Sequence, residues 1–419
     1  MTDFQTGAGE ELRIVLTDEQ DTSSVTDMTV LPHSGNPTGP NKPYSRGPTD
    51  EVNSDLQIQD NPVRGFTVPF SYDGLWRYGI HDIPLQMVMG SAWSAAVSIT
   101  GTDIASAATG NKFTSVTATK FAAFTAQVPC PVWILRDGAT PLATYAIATA
   151  VEDTETTLVI GDGTAGDDFG VTLTVVAASD NVTIMHSGVL KNGSTAYWAI
   201  VERANADVGL YYAGYGMMCT NYDFKAQKGQ DPGASFQFMG RDANDATSTF
   251  GTGTETAAGT FSAFNSGADL VYFGENGLFA AMDPTDAAIG WLPSQVNLSV
   301  SSAATPIDPM GINGPYANVK DTVTLSGNFS LFTTDAARVI RQRQVTNADS
   351  SLCWVNQKTV GAVTNAYFHW LPRIQYNTAE PGGGGQGGVS TLNYPFSVAK
   401  DQTHLISYAI ARFAAVPLS

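Results

Sequence analysis

The side chains able to carry chemistry are few and poorly spaced for it. Gly161, Gly163 and Gly166, in the run GDGTAG, match the glycine spacing of a dinucleotide cradle and follow an apolar strand. Such a cradle needs a helix next, so that its N-terminal amides meet the pyrophosphate. Here Asp167, Asp168, Phe169 and Gly170 follow and then another strand, and two carboxylates would repel phosphate. The run reads as a turn. Asp162, Asp167 and Asp168 could offer oxygens to Ca²⁺, but their spacing fits no EF-hand loop, and solvated turn carboxylates account for them. His33, His81, His186, His369 and His404 are scattered without H-E-x-x-H spacing, and His369 beside Trp370 is most simply a strand residue. No G-x-S-x-G elbow occurs. Cys130, Cys219 and Cys353 stand far apart with no C-x-x-C, which disfavours a zinc site and a disulfide framework alike. No enzyme activity, cofactor or metal is expected.

Charge narrows the remaining classes. The 419 residues carry 21 basic and 39 acidic groups, net −18. A protein that grips nucleic acid by its phosphates needs clustered Lys and Arg. One that only lets nucleic acid pass does not, and acidity also keeps an abundant protein in solution. The N-terminal MTDFQTGAGEELR is acidic and lacks the apolar centre of a Sec signal. No run approaches the ~18 apolar residues of a membrane helix. The expectation is a soluble protein made in the cytoplasm.

The elements are dominated by two long hairpins. In Asn221–Gly240, Tyr222, Phe224 and Ala226 alternate with Asp223, Lys225 and Gln227, a Gly/Asp/Pro turn follows, and Ala234, Phe236 and Phe238 alternate with Ser235 and Gln237. The second spans Leu371–Thr378, the tip PGGGGQGG and Val389–Val398; there Ile374 and Tyr376 alternate with Arg373, Gln375 and Asn377. Leu12, Ile14 and Leu16 predict an N-terminal strand, and Thr17 to Asn61 a polar arm ordered only by contact with something else. Val63–Tyr72 reads as a strand, with Asp73 capping a short helix that carries Leu75, Trp76 and Tyr78 and is limited by Pro84. Val296, Leu298 and Val300 alternate, Thr322–Phe332 reads as a strand, and Asp335 opens a helix with a basic exposed face. Residues 94–193, rich in Thr, Ala and Val with short strands at Tyr145–Ala150, Thr157–Ile160 and Val171–Val176, predict a small barrel or sandwich.

The halves look alike. Gly65, Phe70 and Asp73 share the spacing of Gly327, Phe332 and Asp335 at an offset of 262, and Trp198 and Tyr211 that of Trp354 and Tyr367 at an offset of 156. The first half is then longer by 106 residues, which matches the composition change at 94–193. Two related β units result, 1–93 with 194–270 and 285–419, the first carrying an inserted small β domain.

A strand with a G-x4-F-x2-D turn, a capped helix, an aromatic strand and a hairpin closing on SFQFMG resembles the tail tube proteins of long-tailed bacteriophages. The second half, with LPRIQYNT, a Gly-rich tip and NYPFSVAKD, is similar to the second half of such proteins. The resemblance covers somewhat over half the chain and rests on order and spacing. It implies a mainly β fold, the tail-tube β-sandwich/barrel with two long hairpins and short helices. It further implies a structural virion protein, made in the host cytoplasm, whose rings stack into a tube that conducts the genome. Tape measure, tail terminator and baseplate proteins are the partners implied, and DNA passes without specific binding. Six subunits per ring are preferred to three, since each half offers one long hairpin. Asp223, Lys225, Gln227, Ser235, Gln237, Arg373, Gln375 and Asn377 are the candidates for the lumen face. A virion surface or host-adhesion β-module protein is the alternative, and a glycan hydrolase with a carboxylate pair stands third.

Overall fold

A computed structural model describes residues 10–19, 27–47, 61–107, 111–137, 141–161, 169, 180–205, 209–246, 248–251, 255–257, 259, 261–282, 293–333, 335–378, 380–382 and 390–417. The described residues are mainly β, in several antiparallel sheets with two short α-helices. The elements that frame it are β1 (Glu10–Thr17), β2 (Ser34–Thr38), β3 (Val68–Leu75), α1 (Asp82–Met89), β4 (Trp198–Asn205), β5 (Leu210–Gln227), β6 (Gly233–Gly240), β7 (Leu270–Glu275), β8 (Pro293–Ile307), β9 (Ala317–Phe332), α2 (Asp335–Val345), β10 (Ser350–Val360), β11 (Val363–Tyr376), β12 (Thr391–Val398) and β13 (Ala409–Phe413).

Two sets of four strands repeat one topology. In the first, β2 pairs with β3, β3 with β6 and β6 with β5; in the second, β8 pairs with β9, β9 with β12 and β12 with β11. A helix follows the second strand of each set, and the earlier half of each long strand, β5 or β11, pairs with the strand before it, β4 or β10. The β5–β8 ladder joins the sets into one eight-strand sheet. The spacing matches in the sequence do not coincide with this repeat. Asp73 occupies the ladder position of Ser326, an offset of 326 − 73 = 253, and Asp223 that of Gln375, an offset of 375 − 223 = 152. Strand pairing fixes side-chain parity, while residue identity is free to drift within each face.

The helix expected after Asp73 begins later. Asp73 lies in the β3 ladder opposite Ser235, and α1 opens at Asp82 with Pro84 inside its first turn, where a missing N–H costs no helical bond. Gly90 ends α1 in the left-handed conformation, φ 69°, and its N–H returns to the Gln86 carbonyl. The polar arm is also partly built in. Thr29–Leu31 pairs with β1, β2 with β3, and Tyr44–Arg46 with Val63–Phe66.

The described residues of 97–186 form a seven-stranded antiparallel sheet whose first and last strands in the chain, Val97–Gly101 and Asn181–His186, pair with each other. Its ends are adjacent, for His186 pairs with Val97 and the Ser94 N–H donates to the Val189 carbonyl at 2.9 Å. Its core is nevertheless continuous with β10, β11 and β13. The Tyr145 ring meets Trp133 at 4.5 Å, Phe413 at 5.2 Å and Phe368 at 6.0 Å, and its hydroxyl donates to Gln357 at 2.6 Å. The expected strand at Val171–Val176 lies outside the described residues.

The two sets share a buried aromatic centre. Trp76 packs on Tyr367 at 5.0 Å and Phe224 at 5.4 Å, while His369 stacks on Trp354 at 4.6 Å. Burial pushes His369 down to about 3, so its ring is neutral, with Nδ1 at 2.7 Å from the Tyr408 hydroxyl.

Candidate assembly surface

The eight-strand sheet has one apolar and one polar face, because one side is packed and the other is not. Across the packed side, directly opposed residues run Gly74, Ala234, Phe224, Leu298, Gly327, Phe396 and Tyr376. A side chain at Gly327 would meet the Asn297 carbonyl oxygen at 2.3 Å and the Phe396 ring at 2.7 Å, so the strands close here only over glycine.

One residue along each strand, the opposed set is Ser34, Asp73, Ser235, Asp223, Ser299, Ser326, Ser397 and Gln375. None of these eight is buried. Cross-strand hydrogen bonds stitch the neighbouring positions. Asn297 donates to Asn328 at 3.0 Å, Asn328 and Ser330 donate to Asn393 at 2.9 and 3.1 Å, and Asn377 donates to Ser397 at 3.3 Å. Such pairs stabilise a sheet by roughly 0.2–1 kcal/mol each. A shallow depression of about 610 Å³ lies over this region, with Asp223 and Lys225 of the first hairpin and Asn377 of the second on its lining.

The structure brings the two hairpins' polar residues to one side of one sheet. Asp223, Lys225, Gln227, Ser235 and Gln237 alternate with the buried Tyr222, Phe224, Ala226, Ala234, Phe236 and Phe238, and Arg373, Gln375 and Asn377 with the buried Ile374 and Tyr376. Arg373 and Gln375 both donate to Asp349, at 2.8 and 2.9 Å, so the one arginine of the set is neutralised locally. The second hairpin is paired along both arms: β12 is flanked on one side by β9 and on the other by Ile374–Tyr376 of β11 and then by Glu380–Gly382, which lies opposite Thr391–Asn393. The tip between them, residues 383–389, lies outside the described residues.

The sequence reading missed the central contributors, Asn297, Ser299, Ser326, Asn328 and Asn393. Their signal was present, since Asn297 and Ser299 are the polar partners of the alternating Val296, Leu298 and Val300. What it lacked was the knowledge that β8 and β9 lie between the hairpins.

Behind the sheet, Glu275 of β7 is fully buried. It forms an ion pair with Arg343 of α2 and accepts from Ser350 and, at 2.8 Å, from the Tyr376 hydroxyl. This cluster ties α2 to the end of β11.

Asp162, Gly163, Gly166, Asp167 and Asp168 lie outside the described residues. The Gly161 N–H donates to the Ile147 carbonyl at 2.8 Å, and its carbonyl accepts from Asn111 at 2.7 Å, as in a sheet turn. Cys130, Cys219 and Cys353 are buried free thiols, each pushed up by burial. Among the described residues no three potential metal ligands cluster, and no helix is long and apolar enough to cross a membrane. No protein-family model matches this sequence, and no curated protein proves similar to it.

Proposed function

We propose that the chain is a structural subunit that assembles into rings, which stack as a tube of the kind found in bacteriophage tails, with the polar sheet face turned to the lumen. The observation that carries this reading is the uninterrupted polar row across eight strands, laid over a continuous aromatic core. A wall that must pass a polyanion is best lined by short neutral groups. Lysine or arginine tracks would hold phosphates by releasing counterions, and the row offers none. The net charge of −18 per chain adds repulsion from every side.

The sheet's width bears on ring size. Eight strands per chain, spaced ~4.8 Å and tilted by about 40°, close as three copies into a barrel roughly 45–50 Å across at the backbone. Six copies would double that, far wider than one duplex requires. Three subunits with six repeated units thus fit better than the six expected from one hairpin per half. Partnership with tape measure, terminator and baseplate proteins belongs to the same reading. Size-exclusion chromatography followed by negative-stain microscopy tests it. Rings or tubes of six-fold appearance containing three chains are expected, and a monodisperse monomer at high concentration would refute it.

A further inference from the structure

Among the described residues the chain joins its two sets at one junction and leaves the two matching edges unjoined. Inside the chain, β5 ends the first set and β8 begins the second, and they pair from Asn221 opposite Ser301 to Gln227 opposite Gln295. By the repeat, β11 ends the second set as β5 ends the first, and β2 begins the first as β8 begins the second. Among the described residues, past Ile374, which pairs with Ser350, β11 is laddered on one side only, by Ser397 and Phe396 opposite Gln375 and Tyr376. Among the described residues β2 pairs only with β3.

The backbone of β11 is oriented for a partner. The Asn377 N–H donates to the Pro395 carbonyl at 2.8 Å, and the Arg373 carbonyl accepts from the Ala399 N–H at 3.1 Å. Odd residues therefore spend their backbone groups on β12, and those of Tyr376 and Thr378 point away from it. In β5 the even residues likewise face β8, where the Lys228 N–H meets the Ser294 carbonyl at 3.0 Å. Within one chain the two free edges lie at opposite ends of the sheet, seven spacings or about 34 Å apart, so they cannot meet each other.

Resting on the ring-forming reading above, we infer that β11 of one copy pairs antiparallel with β2 of a second copy, Gln375 opposite Ser34, in the register that sets Asp223 opposite Ser299. The contact is head-to-tail, so it propagates and closes into a ring. It also continues the polar row from chain to chain. β2 is suited to be a guarded edge. It is five residues long, bent at Gly35 with φ 76°, and carries Pro37, features that limit stray pairing.

The test introduces Ser34→Cys and Gln375→Cys together. Opposed residues of this kind stand ~4.5 Å apart at Cα, within disulfide reach, and the native cysteines are buried. Mild oxidation should convert most of the double variant into a ladder of covalent oligomers ending at the ring size, while each single variant stays monomeric on a non-reducing gel. Independently, in the wild-type chain, amide exchange at Tyr376 and Thr378 should slow at least tenfold on assembly. Covalent oligomers without rings would support the pairing and refute the ring. Rings with neither cross-link nor protection would refute the pairing alone, and absence of all three would refute both.

Discussion

Replacing Asp223 and Gln237 by lysine together probes the polar face directly. Asp223 stands in mid-row between Ser235 and Ser299, and Gln237 lies opposite Asn221 and Ser71 on the same side. Neither side chain contributes to the core, so the fold and the rings should persist. In a three-chain ring the change adds 3 × 2 = 6 lysines and removes three carboxylates. If all six reach phosphates, log K against log salt should fall with a slope of about −5.4, a loss of roughly 10³-fold between about 50 and 200 mM salt. Fluorescence anisotropy of a short labelled duplex, titrated with assembled wild-type and variant rings across that range, measures the slope. Genome ejection through variant tubes should slow most at low ionic strength, where screening is weakest. Normal rings that bind no duplex at the lowest salt, or bind it with no more salt dependence than wild type, would refute the assignment of this face to the lumen.

Other outcomes follow from the packing. Arg343→Met leaves the carboxylate of Glu275 buried without its cation and should cost about 3–5 kcal/mol in urea unfolding; adding Glu275→Gln should recover part of it, and a loss below about 1 kcal/mol would contradict the proposed tie. Replacing 94–193 with a Gly/Ser linker should yield insoluble protein although the ends are adjacent, because it uncovers Val355, Phe368, Trp370 and Phe413, worth roughly 1.5–3 kcal/mol each; a soluble, assembling product would show the insert to be peripheral. His186 is buried with neither ring nitrogen hydrogen-bonded and is pushed down to about 4. The unfolded chain therefore binds its proton more readily between about 6.5 and 4, and stability present above 6.5 is lost as pH falls through that window. His186→Leu should move the acid unfolding midpoint to lower pH, as followed by tryptophan fluorescence, and an unmoved midpoint would count against it.

The hairpin faces were legible because one side of each strand is buried and the other is not, so parity alone assigns Tyr222 inward and Asp223 outward. Parity failed where both faces are covered. Ala213–Cys219 is buried at every position, which hid the fact that Leu210–Gln227 is one strand of 18 residues. Cys130–Asp137, buried at seven of eight positions, escaped for the same reason. The repeat was visible as a tendency but in the wrong register, since aromatic and glycine identities are weaker constraints than the ladder. The joining of the hairpins through β8 and β9 depends on contacts far apart in the chain, which no local pattern encodes.

The two long strands have a mechanical consequence. β5 and β11 each run without a break from an outer ladder, with β4 or with β10 and β13, into the eight-strand sheet. A strand held by hydrogen bonds on both sides resists stretching, so it acts as a beam. A load applied to its outer end emerges at the inner end as a change of tilt. The 94–193 sheet rests on β11 and β13, which makes it a handle on that beam. In a closed barrel, tilt and girth are coupled. If the chains close into the ring proposed above, whatever presses on the outside would therefore set the bore within.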